Sequence, residues 1–296
     1  MKYIITIILI TKVLLANALS FIEVPLNRMI DESEFIYSGR IINVTQTDSS
    51  LQKQLRNIVR SANYKYGDPS CGYCSETATF VISKSLKGQI QNDTILIPFH
   101  SNIMFALPGF SKNGEYILFL DKLADSDFFV KTDPRFGAKG SHLKEYESLI
   151  SEYLNLNSEP EKRDWIIELC INPRFSWEGM LNFKFSSSKQ FTENEKNKLT
   201  KGLINMDFDN DNYLKLLECV QNFGKNDELI EKCFNRLKLV KEKNVYEGLD
   251  LMQAINKLNP KPAYQQLIDK FFDGFDNKLS DTQKLELIKE FIKEKN

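Results

Sequence analysis

Two cysteines in a Cys-x-x-Cys pattern, Cys71 and Cys74, have the spacing most able to carry chemistry. Such a pair can close a structural disulfide, act as a redox couple or supply half of a zinc site. A thioredoxin-type pair lies between a strand and a helix, because the helix N-terminus stabilises the thiolate, whereas residues 75–80 lead into a predicted strand. Zinc would need two more ligands, and His100 and His142 are the only histidines. The pattern favours a loop-closing disulfide or surface thiols, with metal binding and redox chemistry as alternatives.

The other three cysteines, Cys170, Cys219 and Cys233, fall in stretches with helical spacing of apolar residues. We predict that they are small core residues. Five cysteines are far fewer than a disulfide-stapled scaffold carries, and the odd number leaves at least one thiol unpaired within a monomer.

An acidic run from Asp207 to Glu218 has the spacing of a calcium-binding EF-hand loop, with acids at loop positions 1, 3, 5 and 12. Leu214 provides the hydrophobic position 8, but Asn212 stands where the loop glycine is expected. Residues 213–220 also have the apolar spacing of a continuous helix, for which the acids would act as a cap and a favourable charge. The run therefore favours a helix start, and calcium binding is the alternative.

Other patterns of catalytic residues do not occur in the sequence. It contains no Gly-x-Ser-x-Gly, His-Glu-x-x-His or phosphate-binding glycine-rich motif, and two histidines leave little room for a Ser-His-Asp arrangement. The 39 Lys and Arg against 40 Asp and Glu give a formal net charge of -1, so no basic field recruits nucleic acid. We predict a protein that is not an enzyme, has no cofactor and does not bind nucleic acid.

Residues 1–18 have the form of a secretory signal peptide. Lys2 precedes an apolar run from Tyr3 to Leu15, and Ala16-Asn17-Ala18 offers a small-x-small cleavage step. The run of about 13 residues contains Lys12 and falls short of the roughly 20 apolar residues that cross a bilayer. We expect cleavage after Ala18, no transmembrane segment in the mature chain, and a secreted or periplasmic location.

The N-terminal half has the composition of a small β-domain. Five short segments are rich in β-branched and aromatic residues and are bounded by turn residues, which is typical of strands in a barrel or sandwich. These segments are Phe35–Val44, Ala78–Leu86, Thr94–Pro98, Tyr116–Leu120 and Phe128–Lys131.

Beyond Gly137 the apolar period changes from 2 to 3.6, which predicts helices, beginning with a linking helix at Lys144–Leu154. Ser158 can cap the next helix, with Pro160 in its first turn, so the domain boundary is placed near Asn157. Six amphipathic stripes follow, and they favour antiparallel hairpins packed as a helical bundle or a short helical-repeat domain. No fixed repeat period with matching signature residues is evident. The stripes contain Trp165, Tyr213, Leu229, Leu249, Tyr264 and Leu285.

Three stretches of the β-rich half, residues 33–41, 78–88 and 114–120, resemble the netrin-like domain in their order. These are a strand ending near a glycine, a strand ending in Lys-Gly, and an apolar strand led by Gly-x-Tyr. This family shares the five-stranded OB barrel of the tissue inhibitors of metalloproteases. The resemblance covers roughly residues 29 to 135 and implies a barrel used for protein or ligand contact.

The same resemblance does not carry the inhibitor chemistry to this chain. Inhibitors of that family present an N-terminal cysteine whose amine and carbonyl chelate the catalytic zinc, whereas the mature chain would begin near Leu19-Ser20-Phe21 without one.

Taken together, the sequence predicts an α+β protein with a signal peptide (1–18), a netrin-like OB-barrel domain (19–157) and an all-helical domain (158–296). We expect an exported, non-catalytic binding protein that acts on a protein or a cell-envelope component. The alternative is a metal-dependent or thiol-redox protein that uses Cys71 and Cys74.

Overall fold

The computed structural model describes residues 23–53, 75–90, 92–99, 109–123, 127–133, 136–183, 188–207, 212–276 and 279–295. The predicted signal peptide and the Cys71/Cys74 pair lie outside these ranges. The chain is an α+β protein that divides into two compact units, Met1–Asn157 and Ser158–Asn296.

The first unit is built on an antiparallel sheet that contains all five predicted strands and a sixth, two-residue strand that was not predicted. The strand order is β3-β2-β1-β4-β5, and β6 also pairs with β4. The strands are β1 (Phe35–Gln46), β2 (Glu76–Lys87), β3 (Thr94–Phe99), β4 (Glu115–Lys122), β5 (Phe129–Lys131) and β6 (Ala138–Lys139).

The two ends of this strand order meet at one point. Leu96 of β3 forms an isolated parallel bridge with Phe128, the residue just before β5. Strands β3 and β5 also contact each other.

The inward face of the sheet forms an apolar core, because alternate residues of each strand point to the same side. Aromatic side chains fill much of it, with the Phe99 and Phe110 rings 4.9 Å apart edge to face. This inner core includes Tyr37, Ile41, Phe80, Ile82, Ile95, Ile97, Leu118, Leu120 and Phe129.

Helices α1 (Leu26–Glu32) and α2 (Leu143–Leu154) belong to the first unit, and residues 49–53 are also helical. Helix α1 contacts α2, and α2 contacts β4 and β2. The Tyr153 hydroxyl of α2 donates to the Asp31 carboxylate of α1 at 2.7 Å. Ile36, Ile117 and Phe119, which alternate with the inner-core residues, are fully buried on this side. The sheet is therefore apolar on both faces over part of its area.

The described residues of the second unit form helices and contain no β-strand. Ser158 is the N-cap of its first helix, as the sequence predicted, and it forms a capping box with Glu161. The helices are α3 (Glu159–Cys170), α4 (Ser176–Met180), α5 (Glu193–Asn205), α6 (Tyr213–Val220), α7 (Asp227–Leu237), α8 (Val245–Leu258), α9 (Pro262–Asp276) and α10 (Asp281–Lys293).

These helices share one apolar core. Tyr264 and Phe291 stack at 4.3 Å between ring centroids. Cys170, Cys219 and Cys233 are buried free thiols, as predicted, and burial raises the pKa of Cys219 and of Cys233 to about 12. Such thiols are inert core groups rather than nucleophiles.

Candidate functional site

Some of the residues singled out by their spacing lie outside the part of the chain that the structure describes. Cys71, Cys74 and His100 fall outside the described residues. His142 precedes α2 with a left-handed φ of 51°, and its Nδ1 lies 3.8 Å from the Glu145 carboxylate. Its ring is half exposed, which fits a surface pair at a helix start.

The acidic run is a helix start over the part that is described. Helix α6 begins at Tyr213, so the second half of the proposed calcium loop, up to Glu218, is helical. Asn212 is the N-cap residue, and its side chain makes no capping hydrogen bond; residues 208–211 are not described. Within the described ranges, no group of three or more His, Cys, Asp or Glu side chains is placed to hold a metal ion.

The feature best suited to binding is an outward face of β1, β2 and β3, which we call the open strand face. Two cross-strand rows define it. Arg40, Val81 and Thr94 are opposite one another in one row, and Asn43, Thr79 and Leu96 form the next. These residues alternate with the inner-core residues of the same strands, so their side chains point outward.

Two large apolar side chains are uncovered on the open strand face. Ile42 is 36% exposed and Leu96 is 37% exposed. A register shift between Ile41 and Asn43 leaves Ile42 as an extra residue in β1, so that Ile42 and Asn43 both oppose Thr79. Ile42 and Leu96 are thus separated by one strand, a distance of about 10 Å.

The path of β1 beside β2 depends on Gly39. A Cβ atom at this position would lie 2.1 Å from the Val81 carbonyl oxygen and 2.8 Å from the Phe80 ring. Only glycine permits this close approach of the two strands, which lies next to the row containing Arg40 and Val81.

Helix α2 borders the open strand face on one side. Lys84 of β2 and Glu147 of α2 form an ion pair at 2.8 Å. Burial would raise the pKa of Glu147, but hydrogen bonds from Lys84 and Ser38 outweigh it and lower that pKa. The outer face is therefore covered near Ser38 and uncovered beyond Arg40.

A second feature, which the sequence reasoning missed, is a buried lysine on the inner face. Lys131 of β5 is opposite Leu120 in the sheet, so its side chain shares the inner face with a core residue. It is only 2% exposed, and its Nζ lies 5.3 Å from the centroid of the Phe110 ring. Burial lowers the pKa of Lys131 to about 8, although nearby Asp133 acts in the opposite direction.

A buried ammonium group costs stability unless its surroundings compensate for lost hydration. The Phe110 ring, itself in contact with the Phe99 and Tyr116 rings, supplies a cation–π contact. In the sequence, Lys131 follows Phe128, Phe129 and Val130 and looks like a solvated strand end. Only the pairing register places it inside.

Comparisons of the chain with protein-family models, with curated proteins and with solved structures found no match. Within the part of the chain that the structure describes, no helix is long and apolar enough to span a bilayer.

Proposed function

We propose that this is an exported, non-catalytic binding protein whose N-terminal half is a netrin-like OB barrel. Its partner is a protein or a cell-envelope component, bound at the open strand face. The observation that carries the proposal is the uncovered pair Ile42 and Leu96 on the outward face of a sheet whose inner face is a packed apolar core.

The strand pairing supports an OB barrel. Following the neighbours in turn gives β1-β2-β3, then β5 through the Leu96–Phe128 bridge, then β4, which returns to β1. In this ring β3 and β5 run parallel where they meet, whereas the other pairs are antiparallel. A five-stranded ring closed in this way forms a small, partly open barrel whose strand face and loops serve for binding.

The composition of the open strand face supports a protein-like partner. Ile42 and Leu96 supply the apolar surface that an interface core needs, while Arg40, Asn43 and Thr94 supply polar groups around it. Protein interfaces have this arrangement of an apolar centre within a polar rim. Export is supported by the signal-like N-terminus, residues 1–18.

The test compares the full chain with two variants for retention of partners. The immobilised proteins are incubated with the secreted and envelope fractions of the producing cell, and the bound species are quantified. One variant carries Ile42→Ser and Leu96→Ser; the matched control carries Ile90→Ser, since Ile90 is 41% exposed but lies in the β2–β3 connection.

We expect the double variant to retain at least about tenfold less of the bound species, because truncating central interface residues costs more than 1 kcal/mol each. The control should bind like the unaltered chain. Equal retention by all three proteins, or no retention by the unaltered chain, would contradict the proposal. Circular dichroism of each variant shows that the fold is kept.

A further inference from the structure

Three helix starts in the second unit recur at a fixed distance. The N-cap residues of α3, α5 and α7 are Ser158, Thr192 and Asn226, each 34 residues after the one before. All three side chains accept a hydrogen bond from the backbone N–H three residues later. Helix α9 starts at Pro262, 35 residues after the first residue of α7.

Two core positions recur at the same distance. The position seven residues after the cap holds Trp165, Leu199 and Cys233, of which Leu199 and Cys233 are buried and Trp165 is partly buried; a further step of 34 residues gives the buried Leu267. The position eleven residues after the caps of α3, α5 and α7 is buried, and so is the residue 34 positions further on in α9. These residues are Leu169, Leu203, Leu237 and Phe271.

A lysine recurs six residues after the caps of α5 and α7. In both cases its ammonium group contacts the helix that begins 34 residues earlier. Lys198 of α5 lies 2.5 Å from the Glu168 carboxylate of α3 and 3.9 Å from that of Asp164. Lys232 of α7 donates to three carbonyls at the C-terminal end of α5. These belong to Leu203, Ile204 and Met206.

The contacts between helices follow the same order. The helices of the second unit form four consecutive pairs, α3–α4, α5–α6, α7–α8 and α9–α10. The first helices of successive pairs contact each other, α3 with α5 and α5 with α7. The second helices do the same, α4 with α6, α6 with α8 and α8 with α10. Within each pair the two helices also contact each other. The fourth pair differs, because α10 also packs on α7.

We propose that residues 158–293 are four tandem copies of one 34-residue helical hairpin, stacked through a lysine six residues after the cap. Copies one to three share the cap, all four share the buried position eleven residues after it, and the lysine of copies two and three ties each to the copy before. In a stack of this kind each copy contacts mainly its neighbours, so stability and folding are set by the interfaces between copies. This inference does not depend on the binding role of the open strand face.

The main test inserts one more copy into the full chain. A second copy of residues 192–225 is placed between Lys225 and Asn226, and the control insertion has the same composition in shuffled order. We expect the helical circular dichroism of the second unit to rise by about one quarter, with cooperative melting retained. If the ordered insert adds no more helix than the shuffled one, the repeat is refuted.

A second measurement probes the stacking lysines without changing the length. Lys198→Met and Lys232→Met are compared with Lys201→Met. Lys201 is the control because it is an exposed lysine of α5. Hydrogen exchange should accelerate roughly tenfold at the α5–α7 interface in the Lys232 variant, which loses three hydrogen bonds to backbone carbonyls. In the Lys198 variant it should accelerate roughly threefold at the α3–α5 interface, because the ion pair with Glu168 is partly exposed. Exchange no faster than in the Lys201 variant would rule out the stacking role.

Discussion

Replacing the buried Lys131 with methionine should stabilise the protein at neutral pH. The pKa of Lys131 falls from the ordinary 10.5 to about 8 in the folded protein. Each pKa unit corresponds to about 1.4 kcal/mol, so keeping this amine protonated costs the folded state about 3 kcal/mol at pH 7. The variant also loses the cation–π contact with Phe110, worth about 1 kcal/mol, and the attraction between Lys131 and Asp133, so the net gain for Lys131→Met is at most about 2 kcal/mol.

The pH dependence of this gain has a definite sign. Below pH 8 both the folded and the unfolded chain carry the proton on Lys131, so the full cost applies. Between pH 8 and 10.5 the folded chain loses the proton and the unfolded chain keeps it, so the stability of the unaltered protein rises with pH. The variant lacks this rise, and its advantage should shrink between pH 7 and pH 9.5.

The assay is urea unfolding followed by circular dichroism at pH 7 and pH 9.5. Lys122→Met is the matched control, because Lys122 lies on the neighbouring strand β4 and is exposed; it should change the free energy of unfolding by less than about 0.5 kcal/mol. If Lys131→Met destabilises the protein by a similar amount at both pH values, the ammonium is well compensated on the inner face of the sheet. The reasoning from burial would then be wrong.

Three further changes test the packing. Gly39→Ala should lower the free energy of unfolding by about 2 kcal/mol or more in urea, because its Cβ would meet the Val81 carbonyl at 2.1 Å. Thr192→Ala should cost about 1 kcal/mol through loss of the capping box, whereas Thr192→Ser should cost little. Hydrogen bonds from Arg163 lower the pKa of Glu195, so the stability that this pair contributes is present above the ordinary carboxyl pKa and is lost as the pH falls through the folded-state value. Glu195→Gln should therefore flatten the loss of melting temperature on acidification, and an unchanged acid profile would exclude this pair as its source.

Strand prediction succeeded because both composition and alternation pointed to the same five segments. Helix α5 was missed because Glu193–Asn205 is mostly polar, and its apolar stripe is reduced to Leu199 and Leu203. The capping box Thr192–Glu195 was a usable signal for it. The 34-residue period was missed for the same reason, since it is carried by the caps and not by one repeated apolar residue type.

The candidate site was harder to predict, because it depends on pairing register. Nothing in the local sequence distinguishes the exposed Ile42 from the buried Ile41, since adjacent strand residues point to opposite faces and only the pairing register decides which of them faces the core. Likewise, Lys131 is inside only because it lies opposite Leu120. Register follows from contacts between distant segments, which a single sequence does not reveal.

The most direct test of binding at the open strand face is site-specific photo-crosslinking of the full chain in its producing cell. A crosslinking amino acid replaces Leu96 in one variant and Ile90 in the other, and both side chains are similarly exposed. The proposal predicts a discrete crosslinked species from position 96 that is absent or at least about tenfold weaker from position 90. The same species from both positions, or none from position 96, would contradict binding at this face.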